Sequence, residues 1–216
     1  MEDATGPSTY GTSGTCPDCD MPYDENNRCP NPRCNHGDEG NHGISPAPDG
    51  PLMVVLCGLP GVGKSTVVSK LEDRIGGTVF RTDRIRKSLF EKPEYTKEET
   101  KIVYNEMLRS AEKTLSDGGT VILDGTFKTL ELRDKAREAA EKQNSAFRLI
   151  KVECSKRVVR GRIESRDGVS DADFSTHKRL RKEFEPISEG EVIDNSGDLS
   201  VTVRQVAFVT PSQDGV

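Results

Sequence analysis

The chain has 216 residues and a formal net charge of −5, from 31 Lys+Arg against 36 Asp+Glu. That charge is unevenly placed. Residues 1–50 hold nine acids and two bases, a net of −7, which leaves 27 acids and 29 bases, a net of +2, in residues 51–216. The first fifty residues also carry four of the six cysteines and one aliphatic residue beyond alanine, Ile44, a composition that cannot bury enough apolar surface to offset chain entropy. Residues 51–216 have the length of one ordinary globular domain. The longest early apolar run, Leu52–Cys57, falls far short of the ~20 residues of a membrane span. No basic and then apolar leader opens the sequence, so it reads as soluble and cytoplasmic, with cysteines used for metal or catalysis ahead of disulfides.

Residues 1–15 are rich in Gly, Ser and Thr, and residues 38–50 in Gly and Pro, so both read as flexible segments. Between them, in 16–37, Cys16 and Cys19 are followed after nine residues by Cys29 and Cys34. Two pairs with gaps of two and four suit a tetrahedral thiolate zinc site, a zinc-ribbon-like module whose metal would fold a peptide with no core. Two disulfides, or four unlinked thiols, are the competing readings. His36 could replace one cysteine as ligand.

Leu52–Cys57 reads as a buried parallel strand. It runs into Gly58, Leu59, Pro60, Gly61, Val62, Gly63, Lys64, Ser65 and Thr66, a complete G-x-x-x-x-G-K-[ST] match, and a helix is predicted over 66–75. Strand, loop and helix in that order are the setting a phosphate-binding loop needs. Its backbone N–H groups and the helix N-terminus would cradle the phosphates of ATP, Lys64 would bridge the β- and γ-phosphates, and Ser65 would hold Mg²⁺.

A short strand follows at 78–80, then Asp83 where strand gives way to helix. Thr96 and Glu99 form a capping-box pattern opening a helix with Tyr104, Met107, Leu108, Ala111 and Leu115 on one face. Residues 120–124 read as a strand ending on Asp124, 129–143 as a helix, Ala146–Glu153 as a strand, and 155–166 as a basic helix. A helix over 173–185 begins with a cap at 170–173. A last strand is predicted at Glu191–Asp194 and a closing helix at Leu199–Val209, although Val201, Thr202 and Val203 equally suit a strand. Alternation of strand and helix after such a loop predicts an α/β fold, a parallel sheet of P-loop NTPase type with flanking helices over 51–216.

Across about residues 52–209 the chain resembles the small P-loop kinases grouped with the kinase domain of polynucleotide kinases, zeta-toxin-like kinases and gluconate- or shikimate-type kinases. The residues carrying the likeness are the 58–66 loop, Asp83 with Arg86 and Leu89, 121–127 with Arg133, and Arg162 with Arg166 and 170–172. The resemblance implies that Asp83 is the base and that Arg86 contacts the acceptor or Asp83. It further implies that Arg166 stabilises the transferring phosphoryl group while Arg162 packs near the adenine.

Each residue also has a plainer reading. Asp83 suits a helix N-cap, and Asp124 either a strand-end cap or a ligand of Mg²⁺-bound water and a partner of Arg86. Arg162 and Arg166, four apart and followed by Gly168, form a mobile cationic lid or a solvated basic face. Cys57 and Cys154 read as buried apolar residues, His177 as a surface helix residue, and Tyr95 and Tyr104 as acceptor-pocket candidates, with Tyr104 fitting the core stripe better. The expected reaction is ATP- and Mg²⁺-dependent transfer of a phosphoryl group to a hydroxyl on a nucleic-acid end, nucleotide or small molecule. The alternative is an ATP-binding switch whose zinc module holds a protein partner. Any nucleic acid would meet the basic clusters in 156–166 and 178–182 rather than the acidic first fifty residues.

Overall fold

The structure, a computed structural model, describes residues 50–164 and 174–210. The proposed zinc ligands Cys16, Cys19, Cys29 and Cys34, with His36, the segments 1–15 and 38–49 read from composition as flexible, Arg166, Gly168 and the cap at 170–173 lie outside the described residues. No helix among the described residues is long and apolar enough to cross a membrane.

Among the described residues twelve elements follow one another: β1 (Leu52–Cys57), α1 (Lys64–Ile75), β2 (Thr78–Arg81), α2 (Thr82–Leu89), α3 (Lys97–Ser116), β3 (Val121–Asp124), α4 (Leu130–Lys142), β4 (Ala146–Glu153), α5 (Lys156–Glu164), α6 (Phe174–Glu183), β5 (Glu191–Asp194) and α7 (Leu199–Val209). The five strands form one sheet in the order β2-β3-β1-β4-β5, and every pairing is parallel. This is the α/β architecture the alternation predicts.

β1 is central, so all six of its side chains are buried, which is why the segment is an unbroken apolar run instead of an alternating one. Leu52, Val54 and Leu56 face α1 and α7, packing with Val67, Val68, Leu71, Val206 and Val209. Met53, Val55 and Cys57 face the other way, onto Tyr104, Met107, Ala111, Ala136 and Ala140. The two sets alternate because successive strand side chains point to opposite faces. α7 is a helix, and the alternative strand reading is resolved by Thr202, Val206 and Val209, which are buried at helical spacing.

β1 exits into α1 on one face, whereas its neighbour β3 exits toward α4 on the other. Connections leaving adjacent strands in opposite directions open a crevice at the carboxyl ends of those strands, where open parallel sheets bind ligands. The loop after β1 and Asp124 at the end of β3 both border it.

Candidate phosphotransfer site

The loop between β1 and α1 is held by its own backbone and by three distant side chains, those of Arg162, His177 and Asn195. Gly63 caps α1 in a left-handed conformation, φ 88°, so the helix starts at Lys64 and not at Thr66. A Cβ on Gly63 would come within 2.1 Å of Asn195 Nδ2, so both the backbone angle and the space require glycine. Lys64 Nζ donates to the carbonyls of Gly58 at 3.0 Å and Leu59 at 3.2 Å. Gly58 N donates to the Thr126 carbonyl at 3.2 Å, tying the loop to the segment after β3.

That segment is strongly constrained. Phe127 is buried with a positive φ of 42°, costly for a bulky residue and sustained only by surrounding contacts. Its N–H donates to Tyr104 Oη at 2.9 Å, its carbonyl accepts from Arg133 at 2.9 Å, and its ring meets Tyr104 edge-on with centroids 4.9 Å apart. Arg133 also donates to the Pro186 carbonyl at 2.9 Å. Tyr104 is thus a core residue, and burial pushes its phenol upward from the usual tyrosine range.

Asp124 is 8% exposed, opposite Leu56 of β1 and Arg81 of β2 in the sheet register. Burial raises its carboxyl above the ordinary value of 3.8; the Lys64 and Arg81 charges pull it back down, and Asp83 pushes it further up. Arg81 Nε stands 3.8 Å from Oδ2. Asp83 lies in the first turn of α2 with its side chain exposed. Arg81 occupies the cap position of that helix, and no side chain caps it, so the structure does not use Asp83 as the N-cap.

Arg86 is held by α3 and the segment before it. It is 6% exposed, donates to Glu99 Oε2 at 2.9 Å and Thr100 Oγ1 at 3.3 Å, and lies over the Tyr95 ring at 4.8 Å. Glu99 N donates to Thr96 Oγ1 at 3.1 Å, one half of the capping box. The Glu99 carboxylate does not close the other half; it accepts from the backbone N–H groups of Glu94 and Tyr95 at 2.9 and 2.7 Å. Those bonds, the one to Glu94 first, hold it below the ordinary carboxylate value.

On the β4 side of the loop a cleft of about 530 Å³ is bordered by Gly58, Leu59, Glu153, His177, Arg181 and Phe184, among others. His177 is 5% exposed and its Nδ1 sits 2.8 Å from the Pro60 carbonyl, which corrects its reading as a surface helix residue. Arg162 donates to the Val62 carbonyl at 3.2 Å and the Asn195 carbonyl at 2.9 Å, which places its guanidinium on the loop backbone. Buried Asn195 donates to Val62 O at 2.9 Å. Cys57 is buried as expected, and burial pushes its thiol up to about 11; Cys154 is only half-buried and accepts from Arg162 at 3.5 Å. Among the described residues no three His, Cys, Asp or Glu cluster as a metal site.

Sequence reasoning missed Glu99, His177 and Asn195 as supports of the site. Asn195 carried one usable signal, its place just past a strand's carboxyl end; a lone helix histidine carried none.

Residues 53–187 match the AAA domain family (AAA_33), and the chain belongs to that family. Rv2004c, an uncharacterized protein of Mycobacterium tuberculosis, is 30% identical over 170 residues, which cover 73% of this chain and 34% of the relative. Mb2027c of Mycobacterium bovis matches at the same values. The chain thus spans about a third of the length of the curated relatives it matches. A sugar kinase from Janibacter superposes with a TM-score of 0.60 at 17% identity, over 73% of this chain and 93% of that one. A gluconokinase from Sinorhizobium meliloti gives 0.56 at 20%, over 72% and 89%. The Mycobacterium tuberculosis APS kinase CysC, in complex with AMPPNP and APS, gives 0.57 at 15%, over 74% and 96%. The fold is therefore that of P-loop kinases.

Proposed function

We propose that the chain is an ATP- and Mg²⁺-dependent kinase that transfers a γ-phosphoryl group to a hydroxyl on a nucleic-acid 5′ end, a nucleotide or a small molecule. The observation that carries this reading is the placement of the phosphate-binding loop at the carboxyl end of β1, with Asp124 at the end of the adjoining β3 and Asp83 in the first turn after β2, all on one edge of the parallel sheet. In this reading the loop amides and Lys64 bind the donor phosphates. Asp83 accepts the hydroxyl proton as the acceptor oxygen bonds to phosphorus and the bond to the β-phosphate oxygen breaks, releasing ADP. Ser65 and Asp124 offer the hard oxygen ligands that Mg²⁺ takes, and a buried carboxylate at the end of β3, whose ion pair with Arg81 is as long as 3.8 Å, fits a metal ion or its water beside it. Bound there, the ion neutralises charge on the β- and γ-phosphate oxygens.

Arg166 supplies a second cation to the moving group, by resemblance. Structural zinc on Cys16, Cys19, Cys29 and Cys34 is read from their spacing, and a protein contact for that module from its acidity. The similar solved structures are a sugar kinase, a gluconokinase and an APS kinase, which supports phosphotransfer as the reaction class.

The test is incubation with γ-labelled ATP, Mg²⁺ and a panel of sugars, nucleosides and 5′-hydroxyl oligonucleotides. Label on an acceptor supports the kinase. Label released only as inorganic phosphate across the panel supports the nucleotide switch instead.

A further inference from the structure

The phosphate loop is gripped from outside by donors that reach three of its carbonyls. His177 Nδ1, on α6, lies 2.8 Å from Pro60 O. Because a carbonyl only accepts, this nitrogen carries the proton, which fixes the ring tautomer. Asn195 Nδ2, just past β5, lies 2.9 Å from Val62 O and 3.4 Å from Gly63 O, and Arg162 on α5 adds a second donor to Val62 O. The accept-only Val62 carbonyl fixes which way the Asn195 amide faces; its Oδ1 then accepts from buried Thr202 at 2.8 Å, and its backbone N–H donates to the Glu153 carbonyl at 2.9 Å.

A trans peptide is planar, with its C=O and the following N–H pointing in opposite directions. Holding the carbonyls of Pro60 and Val62 outward therefore turns the N–H groups of Gly61 and Gly63 to the other side, while the Gly63 carbonyl is aimed along α1 by the N–H groups of Thr66 and Val67. Successive N–H groups aimed one way form an anion-binding concavity. We propose that His177 and Asn195 are positioning residues that set the phosphate-binding face of the loop before any nucleotide arrives. His177 also makes the loop's geometry depend on where α6 packs. Asn195 lies beyond the span that matches the family, 53–187, so this support is a feature of the chain's last strand and helix.

The inference rests on the nucleotide-binding reading, and calorimetric titration with MgATP separates the two. Wild-type protein that does not bind MgATP overturns that reading and the inference with it. If wild type binds, Asn195→Asp, which sets a carboxylate oxygen against the Val62 carbonyl, is expected to weaken MgATP roughly tenfold or more. His177→Phe, which keeps a ring but removes the donor, is expected to weaken it about tenfold. His177→Asn places an amide N–H near the position of Nδ1 and should restore affinity to within about threefold. Melting temperatures without nucleotide accompany each titration, since a general loss of structure would be rescued by neither. Should Asn195→Asp not fold, the histidine pair still decides. Affinity unchanged in His177→Phe, or equally weak in His177→Phe and His177→Asn, overturns the positioning role.

Discussion

Asp124 illustrates how a single side chain can favour chemistry against stability. Burial raises its carboxyl above 3.8, the value it has in the unfolded chain, so the folded protein holds this proton more tightly. Between 3.8 and the raised folded value, folding takes up a proton, and stability falls as pH rises through that window. At neutral pH the buried charge is therefore a cost, which an uncharged isostere removes. Asp124→Asn is expected to raise the melting temperature at pH 7, to give no gain at pH 3, and to lower ATP-dependent transfer. A melting temperature that falls at pH 7 would mean that the charge is satisfied by contacts stronger than the 3.8 Å approach of Arg81. The strained Phe127 makes a second residue-scale case. Its N–H depends on Tyr104 Oη, so Tyr104→Phe leaves a buried donor unpaired, at about 1–3 kcal/mol. Calorimetry should then show a fall of roughly 2–4 °C per kcal/mol for a chain of this size, and an unchanged melting temperature would show that the bond does not hold the loop.

At the scale of elements, what could be read from the sequence was what local pattern encodes. β1, β4, β5 and α7 occupy the predicted residues because an apolar run, or a set of periodic apolar positions, is bounded by Gly, Asn or Asp on the same stretch of chain. α1 begins two residues early because Gly63 adopts a left-handed angle that lets the helix start inside the motif. The supports of the loop were not legible for the complementary reason. Asn195 and Val62 are 133 residues apart, and His177 and Pro60 117, so the sheet order, and no local spacing, brings them together. Arg86, which the resemblance links to the acceptor or Asp83, has its guanidinium on the Glu99 carboxylate of α3 and over the Tyr95 ring that precedes that helix, contacts that no local spacing announced.

For the molecule as a whole, the net charge of −5 averages two unlike parts, −7 in residues 1–50 and +2 beyond them. The second part folds around a central strand buried on both faces. The first has a composition poor in aliphatic residues, and the zinc reading predicts one zinc per chain in protein purified without chelator. Absence of zinc, with the four N-terminal thiols free by titration, would end that reading. The most direct test of the whole account is single-turnover transfer from γ-labelled ATP to the best acceptor of the panel, run on wild type and Asp83→Asn in parallel with MgATP binding. Loss of the general base should slow transfer by roughly 10²–10⁴-fold with nucleotide affinity retained. Transfer at the wild-type rate by Asp83→Asn would contradict the account.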